Sequence, residues 1–149
     1  STFMPVQAEF DFLPFPDGSV DIILFNASLH YSVNYEQTLR ESLRALSVDG
    51  KLVVLDSPVY RDAGSGSSMV REREEQFTKR YGFPSNHLKS ENYLTYSRLQ
   101  ELAHKLNLKW KFITPFYSIK WQLRPVFARL LHQREPAKFH VIIGKEATG

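Results

Sequence analysis

The residues best placed to do chemistry lie close together in the first fifth of the chain. Asn26, Ser28, His30 and Tyr31 follow the apolar run Val20 to Phe25, which is interrupted only by Asp21 and contains the β-branched pair Ile22-Ile23. A run of this length after a turn predicts a strand covered on both faces, as in a parallel sheet. Open α/β sheets bind ligands at the carboxyl ends of such strands, where these four polar side chains fall. His30 can take or orient a proton near neutral pH, and Tyr31 can do so less readily. The competing structural reading is that His30 packs and hydrogen-bonds at the strand-to-helix turn, and that Asn26 caps the strand.

Other chemistries lack their residues. The 149-residue chain has no cysteine, which excludes thiolate ligands, disulfides and cysteine nucleophiles. His87, His104, His132 and His140 show no metal-ligand spacing. Gly64-Ser65-Gly66 follows a strand, but Met69 stands where a dinucleotide fingerprint needs its third glycine, and no Gly-Lys-Ser/Thr is present. A mobile connection is the simpler reading of that stretch. Lys120, Arg124, Arg129, His132 and Arg134 form a basic set that reads as a solvated helix face. The net charge of +3 permits an anionic partner without requiring nucleic acid. No apolar run approaches the ~20 residues that span a bilayer, and a cytoplasmic location is expected.

The positioning elements can be read in order. Pro14, Pro16 and Asp17-Gly18 force a turn ahead of the strand. Asn34 to Leu46 carries helix signals: Asn34 as cap, Gln37 three residues on, and Tyr35, Leu39, Leu43 and Leu46 along one face. After Gly50, Lys51 to Asp56 is the next strand, so strand, helix and strand imply a parallel pair with a right-handed crossover. Arg61 to Ser68 reads as a flexible loop and Ser68 to Tyr81 as a helix stopped by Gly82 and Pro84. Phe83 to Tyr96 reads as irregular. Thr95 caps a helix to about Leu106, with Leu99, Leu102, Ala103 and Leu106 inward and Asn107 in a left-handed closing position. Leu108 to Thr114 and Phe139 to Gly144 are late strands flanking a helical excursion over Tyr117 to Glu135. The 42% hydrophobic content and the length suit one domain with its own core.

The ordered set Glu9, Leu13-Pro14-Phe15, Asp17-Gly18, Val20-Asp21, Ile22 to Phe25, Asn26 and Leu29-His30 resembles the class I S-adenosylmethionine-dependent methyltransferases. Tyr31 replaces that pattern's second histidine. Asp49-Gly50-Lys51 to Asp56 resembles its next turn and strand, with Val48-Asp49 in place of Pro-Gly. The resemblance is close over 4–58 and looser beyond. It implies a Rossmann-like α/β fold in which parallel strands are closed by an antiparallel carboxyl-terminal pair. Phe3 to Ala8 would be the family's third strand.

The same resemblance implies S-adenosylmethionine as cofactor. Glu9 would accept from the adenine amino group, with Asp11 as competing acid, and the Phe10 backbone N–H would reach a ring nitrogen. Asn26, Ala27 and Ser28 would contact the cofactor, and His30 and Tyr31 would face the methyl acceptor. Residues 60–96 would form a lid or substrate insertion within a single domain over 1–149. The family's glycine-rich turn and first two strands are not found, so the chain is expected to be a carboxyl-terminal part of the domain. One edge of the Val20–Phe25 strand would then be covered by a second copy of the chain, by Phe3 to Ala8 moved inward, or by a separate amino-terminal piece. The alternatives to an enzyme acting on an unknown acceptor are a non-catalytic module for dimerisation or partner binding and, more remotely, a nucleic-acid binder.

Overall fold

The structure is a computed structural model and describes residues 4–85, 89–115 and 134–147. Its centre is a strand-helix-strand unit: β1 (Val20–Asn26), α1 (Tyr35–Ala45) and β2 (Leu46–Leu55). β1 and β2 are parallel, with Ile23 opposite Leu52 and Phe25 opposite Val54. This is the pairing that the strand-helix-strand pattern predicts. The Asn34 side chain accepts from the Gln37 N–H at 3.2 Å and so satisfies one of the open donors of the first turn. α1 lays Tyr35, Leu39 and Ala45 into the core.

The remaining elements are β3 (Val59–Tyr60), α2 (Ala63–Tyr81), β4 (Leu94–Thr95), α3 (Tyr96–Lys105), β5 (Leu108–Ile113) and β6 (Val141–Glu146). The main sheet has the order β1-β2-β6-β5, and β6 runs antiparallel to both neighbours. Thr95 caps α3 by accepting from the Arg98 N–H at 3.1 Å, and Asn107 closes it at a φ of 51°. Register places Phe25, Leu52, Val54 and Ile142 on one face of the sheet, where they meet Leu39, Leu99 and Leu102 of α1 and α3. Burying each such side chain contributes about 1.5–3 kcal/mol.

The segment before β1 is clamped to α1. Arg44 pairs with Glu41 at 2.7 Å and with Asp17, and also donates to the carbonyls of Phe15 and Leu13. Glu41 in turn accepts from the Leu13 N–H at 2.8 Å. Gly18 sits in the turn with a φ of +64°.

Four expectations need correction. Residues 4–8 form no strand, and they lie exposed. A strand requires a neighbour, and among the described residues β1 pairs only with β2. β1 is also not covered on both faces: Ile22 and Leu24 are 60% and 53% exposed on the face opposite the core.

Nor is 63–68 a loop. α2 starts at Ala63, capped by Asp62, whose carboxylate accepts from the Ser65 N–H at 2.8 Å. Gly66 serves close packing there, not flexibility, because a Cβ at this position would overlap the Tyr93 ring. Finally, 83–96 is not wholly irregular, since Leu94–Thr95 pairs in parallel with Val59–Tyr60. These two-residue strands are too short to show a period. The excursion read over Tyr117 to Glu135 lies outside the described residues except for Arg134-Glu135.

The Gly66 contact is testable by chemical denaturation. Gly66→Ala should lower stability by about 1–3 kcal/mol through overpacking against Tyr93. Gly64→Ala, whose methyl meets only the exposed Asp62 carboxylate, should change stability by less than about 1 kcal/mol.

Candidate functional site

β1 and β2 end side by side, and both turn sharply there. Ala27 and Asp56, the residues that follow or end each strand, have φ of 49° without being glycine. The Ala27 N–H donates to the Leu55 carbonyl at 3.0 Å, tying the two ends together. Positive φ at a non-glycine residue costs energy and persists where its surroundings enforce it, most often at functional sites. Asn26 and Ala27 are exposed at this edge and Ser28 is half-buried.

A single 3-10 turn, Leu29–Tyr31, follows. It sends adjacent side chains to opposite destinations. His30 is 5% exposed and Tyr31 is 40% exposed. His30 Nδ1 lies 3.1 Å from the Ser57 hydroxyl, just past the end of β2. Burial, reinforced by the nearby Arg73 charge, lowers the His30 pKa to about 4. At neutral pH the ring is therefore uncharged. Tyr35 donates to the Tyr93 carbonyl at 2.9 Å and approaches the His30 carbonyl at 3.4 Å, which fixes the turn from beneath.

Tyr31 faces a cavity of about 200 Å³ lined by Ala8, Glu9, Phe10, Asp11, Val33 and Thr38. This is smaller than the roughly 300–1,000 Å³ of a site for a whole drug-sized ligand, and suits one portion of a larger molecule. The two candidate acids differ in their surroundings. Asp11 accepts from the Thr38 hydroxyl at 2.6 Å, and Thr38 also meets Ser32 at 2.8 Å, so Asp11 is committed to a partly buried network. Among the described residues the Glu9 carboxylate has no such partner, and neither does the Phe10 N–H. The Phe10 ring packs edge-on against Phe25 at 5.9 Å, which holds its backbone at the cavity.

The structure thus brings Glu9, Phe10 and Tyr31 together on one cavity. Asn26, Ala27 and Ser28 stand at the adjacent strand end, and His30 lies behind the turn. Sequence reasoning missed Ser57, Arg73, Asn92 and Tyr93. Ser57 had a signal, a polar residue one step past a strand end. Arg73 had none, being one charge among many on α2. Of the other histidines, His140 bonds Tyr96 and Thr114 at 2.6 and 2.9 Å, away from this turn. His87 and His132 lie outside the described residues, as do Lys120, Arg124 and Arg129, whereas Arg134 pairs with Glu72 at 2.9 Å.

His30 links the site to stability. Its folded pKa is depressed, so between pH 6.5 and about 4 the unfolded chain binds the extra proton and stability falls as pH falls. Urea denaturation should show His30→Gln losing this component, worth up to about 3 kcal/mol at the acid end. A His30 imidazole that titrates in NMR near its ordinary value would contradict the buried, neutral ring.

A family model described as a methyltransferase domain matches residues 2–54. No curated protein matches the chain. Among solved structures, the YcgJ protein from Bacillus subtilis is similar at 18% identity and a TM-score of 0.59, over 97% of this chain and 71% of that one. An S-adenosylmethionine-dependent methyltransferase from Thermotoga maritima is similar at 21% identity and a TM-score of 0.58, over 95% of this chain and 63% of that one. Another from Methanosarcina mazei gives 13% identity and a TM-score of 0.54, over 95% and 66%. The chain therefore spans roughly two thirds of the length of these structures. Residues 2–54 match the methyltransferase-domain model, and the chain shares the α/β fold of these solved methyltransferase structures.

Proposed function

We propose that this chain forms the acceptor-side part of a domain that transfers a methyl group from S-adenosylmethionine to an acceptor whose identity the site does not specify. The observation that carries the reading is the convergence of Glu9, Phe10 and Tyr31 on one cavity beside the ends of β1 and β2. The donor set fits the cofactor's purine: a carboxylate accepts from an exocyclic amine, and a backbone N–H donates to a ring nitrogen. When bound, S-adenosylmethionine supplies an electrophilic methyl on a sulfonium. The protein's task is chiefly alignment. Glu9 and Phe10 would hold the base, Asn26, Ala27 and Ser28 would border the rest of the cofactor, and Tyr31 would face the acceptor. His30 is neutral and can accept a proton, but burial makes it a weak base. Orienting the turn through Ser57 is the role its geometry favours.

A second reading has its own support. The free edge of β1 carries exposed Ile22 and Leu24, and a bare apolar edge strand invites pairing with another chain. A non-catalytic module that dimerises, or docks on an amino-terminal piece of the domain, would use that edge. The proposed setting is the cytoplasm. Among the described residues no helix is long and apolar enough to cross a membrane.

Calorimetric titration with S-adenosylmethionine separates the readings. The enzyme reading expects saturable binding, weakened about tenfold by Glu9→Gln through loss of a charge-assisted hydrogen bond. No heat at millimolar cofactor would favour the module for this chain. Light scattering should show a dimer that Ile22→Lys with Leu24→Lys converts to monomer. A stable monomer of the unmodified chain would remove the support for edge pairing.

A further inference from the structure

α2 carries mixed charges from Arg71 onward, and Arg73 among them is turned inward. Gly66 and Arg73 are seven residues apart and so share a helix face. Gly66 fixes that face against Tyr93, because there is no room there for a Cβ. The hydroxyls of Ser67 and Tyr93 meet at 3.0 Å and secure the same contact. Arg73, two turns on, is half-buried and donates from Nη2 to the Asn92 side-chain oxygen at 3.0 Å. Asn92 is 1% exposed, has a φ of 63°, and is oriented by its own amide donating to the Ser90 carbonyl at 2.8 Å. The next residue, Tyr93, offers its carbonyl to Tyr35, which also reaches the His30 carbonyl. Arg73 is therefore tied to the turn after β1 by a short polar path.

Its partner is the anomaly. Arg40, Arg44, Arg61, Arg71, Arg98 and Arg134 each pair with a carboxylate. Arg80 lies over the Tyr81 ring at 5.3 Å. Among the described residues Arg73 alone of the arginines has only a neutral amide, which engages one of its five N–H donors. Glu91, next to Asn92 in sequence, is taken by Arg98 at 3.3 Å. Holding a guanidinium partly out of water without an anion is unfavourable, and a planar oxyanion matches its fork.

We propose that Arg73 is the anchor for an oxyanion, a carboxylate or phosphate, carried by the methyl acceptor. The proposal rests on the methyl-transfer reading for the word acceptor, and on the geometry alone for the anion. In this arrangement α2 supplies recognition of the substrate's charge, while the β1 and β2 ends hold the cofactor. The proximity of Arg73 to the buried His30 ring gives the site a reporter, since an anion bound to Arg73 offsets the charge that ring feels.

The test is an NMR titration of the full chain with sodium acetate and, separately, inorganic phosphate, at constant ionic strength. A saturable shift of the Arg73 Nε–H resonance is expected in the millimolar range, together with movement of the His30 ring signals. Arg80 should show no saturable shift as the anion replaces the background salt. The stronger of the two anions identifies the acceptor's charged group as carboxylate or phosphate. Arg73→Gln should weaken the His30 response at least about tenfold, and Arg73→Lys should retain part of it. If Arg73→Gln fails to fold, the unmodified chain and Arg73→Lys still decide the matter. Arg73 shifts that do not saturate by about 50 mM, or that match those of Arg80, overturn the proposal. Cofactor titration on the same samples keeps the two readings apart. Anion binding without S-adenosylmethionine binding would leave the Arg73 site standing and remove the methyl-transfer assignment. The reverse would do the opposite.

Discussion

The parallel pairing of β1 with β2 is the constraint from which the rest of the structure follows. Parallel strands cannot be joined by a tight turn, so α1 must cross over and pack on the sheet. That crossover buries Leu39 against Phe25 and Val54, and it also brings the two carboxyl ends to one edge. Every candidate site residue from Asn26 to Tyr31, and Ser57 beyond β2, then lies at that edge as a consequence of chain direction alone. The Arg44–Glu41 pair extends the arrangement backwards. It ties Leu13 and Phe15 to α1 and so fixes the segment that leads from Glu9 to β1. An exposed ion pair contributes little by itself, but this one also satisfies three backbone groups of an irregular segment.

The sheet is finished on one side only. Ile23, Phe25, Leu52 and Val54 face α1 and α3, whereas Ile22 and Leu24 face outward from an edge strand. The alternation is enforced by the pleat, since successive residues must point to opposite faces. The apolar run Ile22 to Phe25 of β1 therefore asks for cover on both sides and has it on one. Ile22 and Leu24 are too hydrophobic for a strand designed to face water, and Asp21 is the one charge on this edge strand. That combination is the physical reason why the question of a partner and the question of activity are joined in this molecule.

Elements with local chemical punctuation were legible in the sequence. Asn34, Thr95, Gly82 and Asn107 each mark a helix end through their own backbone or side-chain hydrogen bonding, and each sits where that chemistry predicts. The parallel pair was legible from two apolar runs around a periodic one. What could not be read was anything decided by a distant contact. Gly64-Ser-Gly66 has a loop's composition, and only the Tyr93 ring, far along the chain, explains a glycine inside a helix. Residues 4–8 are apolar enough for a strand, but composition does not say whether a partner strand is at hand. In the site, Glu9 was legible as an acid at a fixed offset. The different surroundings of Glu9 and Asp11 depend on Thr38, whose hydroxyl donates to Asp11 across the α1 packing.

The division of labour within the site follows from the same distinction. Glu9, Phe10 and the strand ends are held by the β1-α1-β2 unit, whose geometry is over-determined by hydrogen bonds and packing. A surface of that kind suits a constant ligand. α2 is different: Gly66 is its only buried residue, and it is anchored mainly through its first turns. A helix held at one end can vary in sequence beyond the anchor at little cost to the fold. Residues on that part of α2 can then change while the β1-α1-β2 unit stays fixed. His30 stands at the junction of the two parts. Its burial removes most of its basicity, so the chemistry it can contribute is placement of the Tyr31 turn relative to Ser57. On the methyl-transfer reading, an acceptor that needs a strong base would have to find it elsewhere, whereas a nucleophile already unprotonated at neutral pH would need only to be held in line.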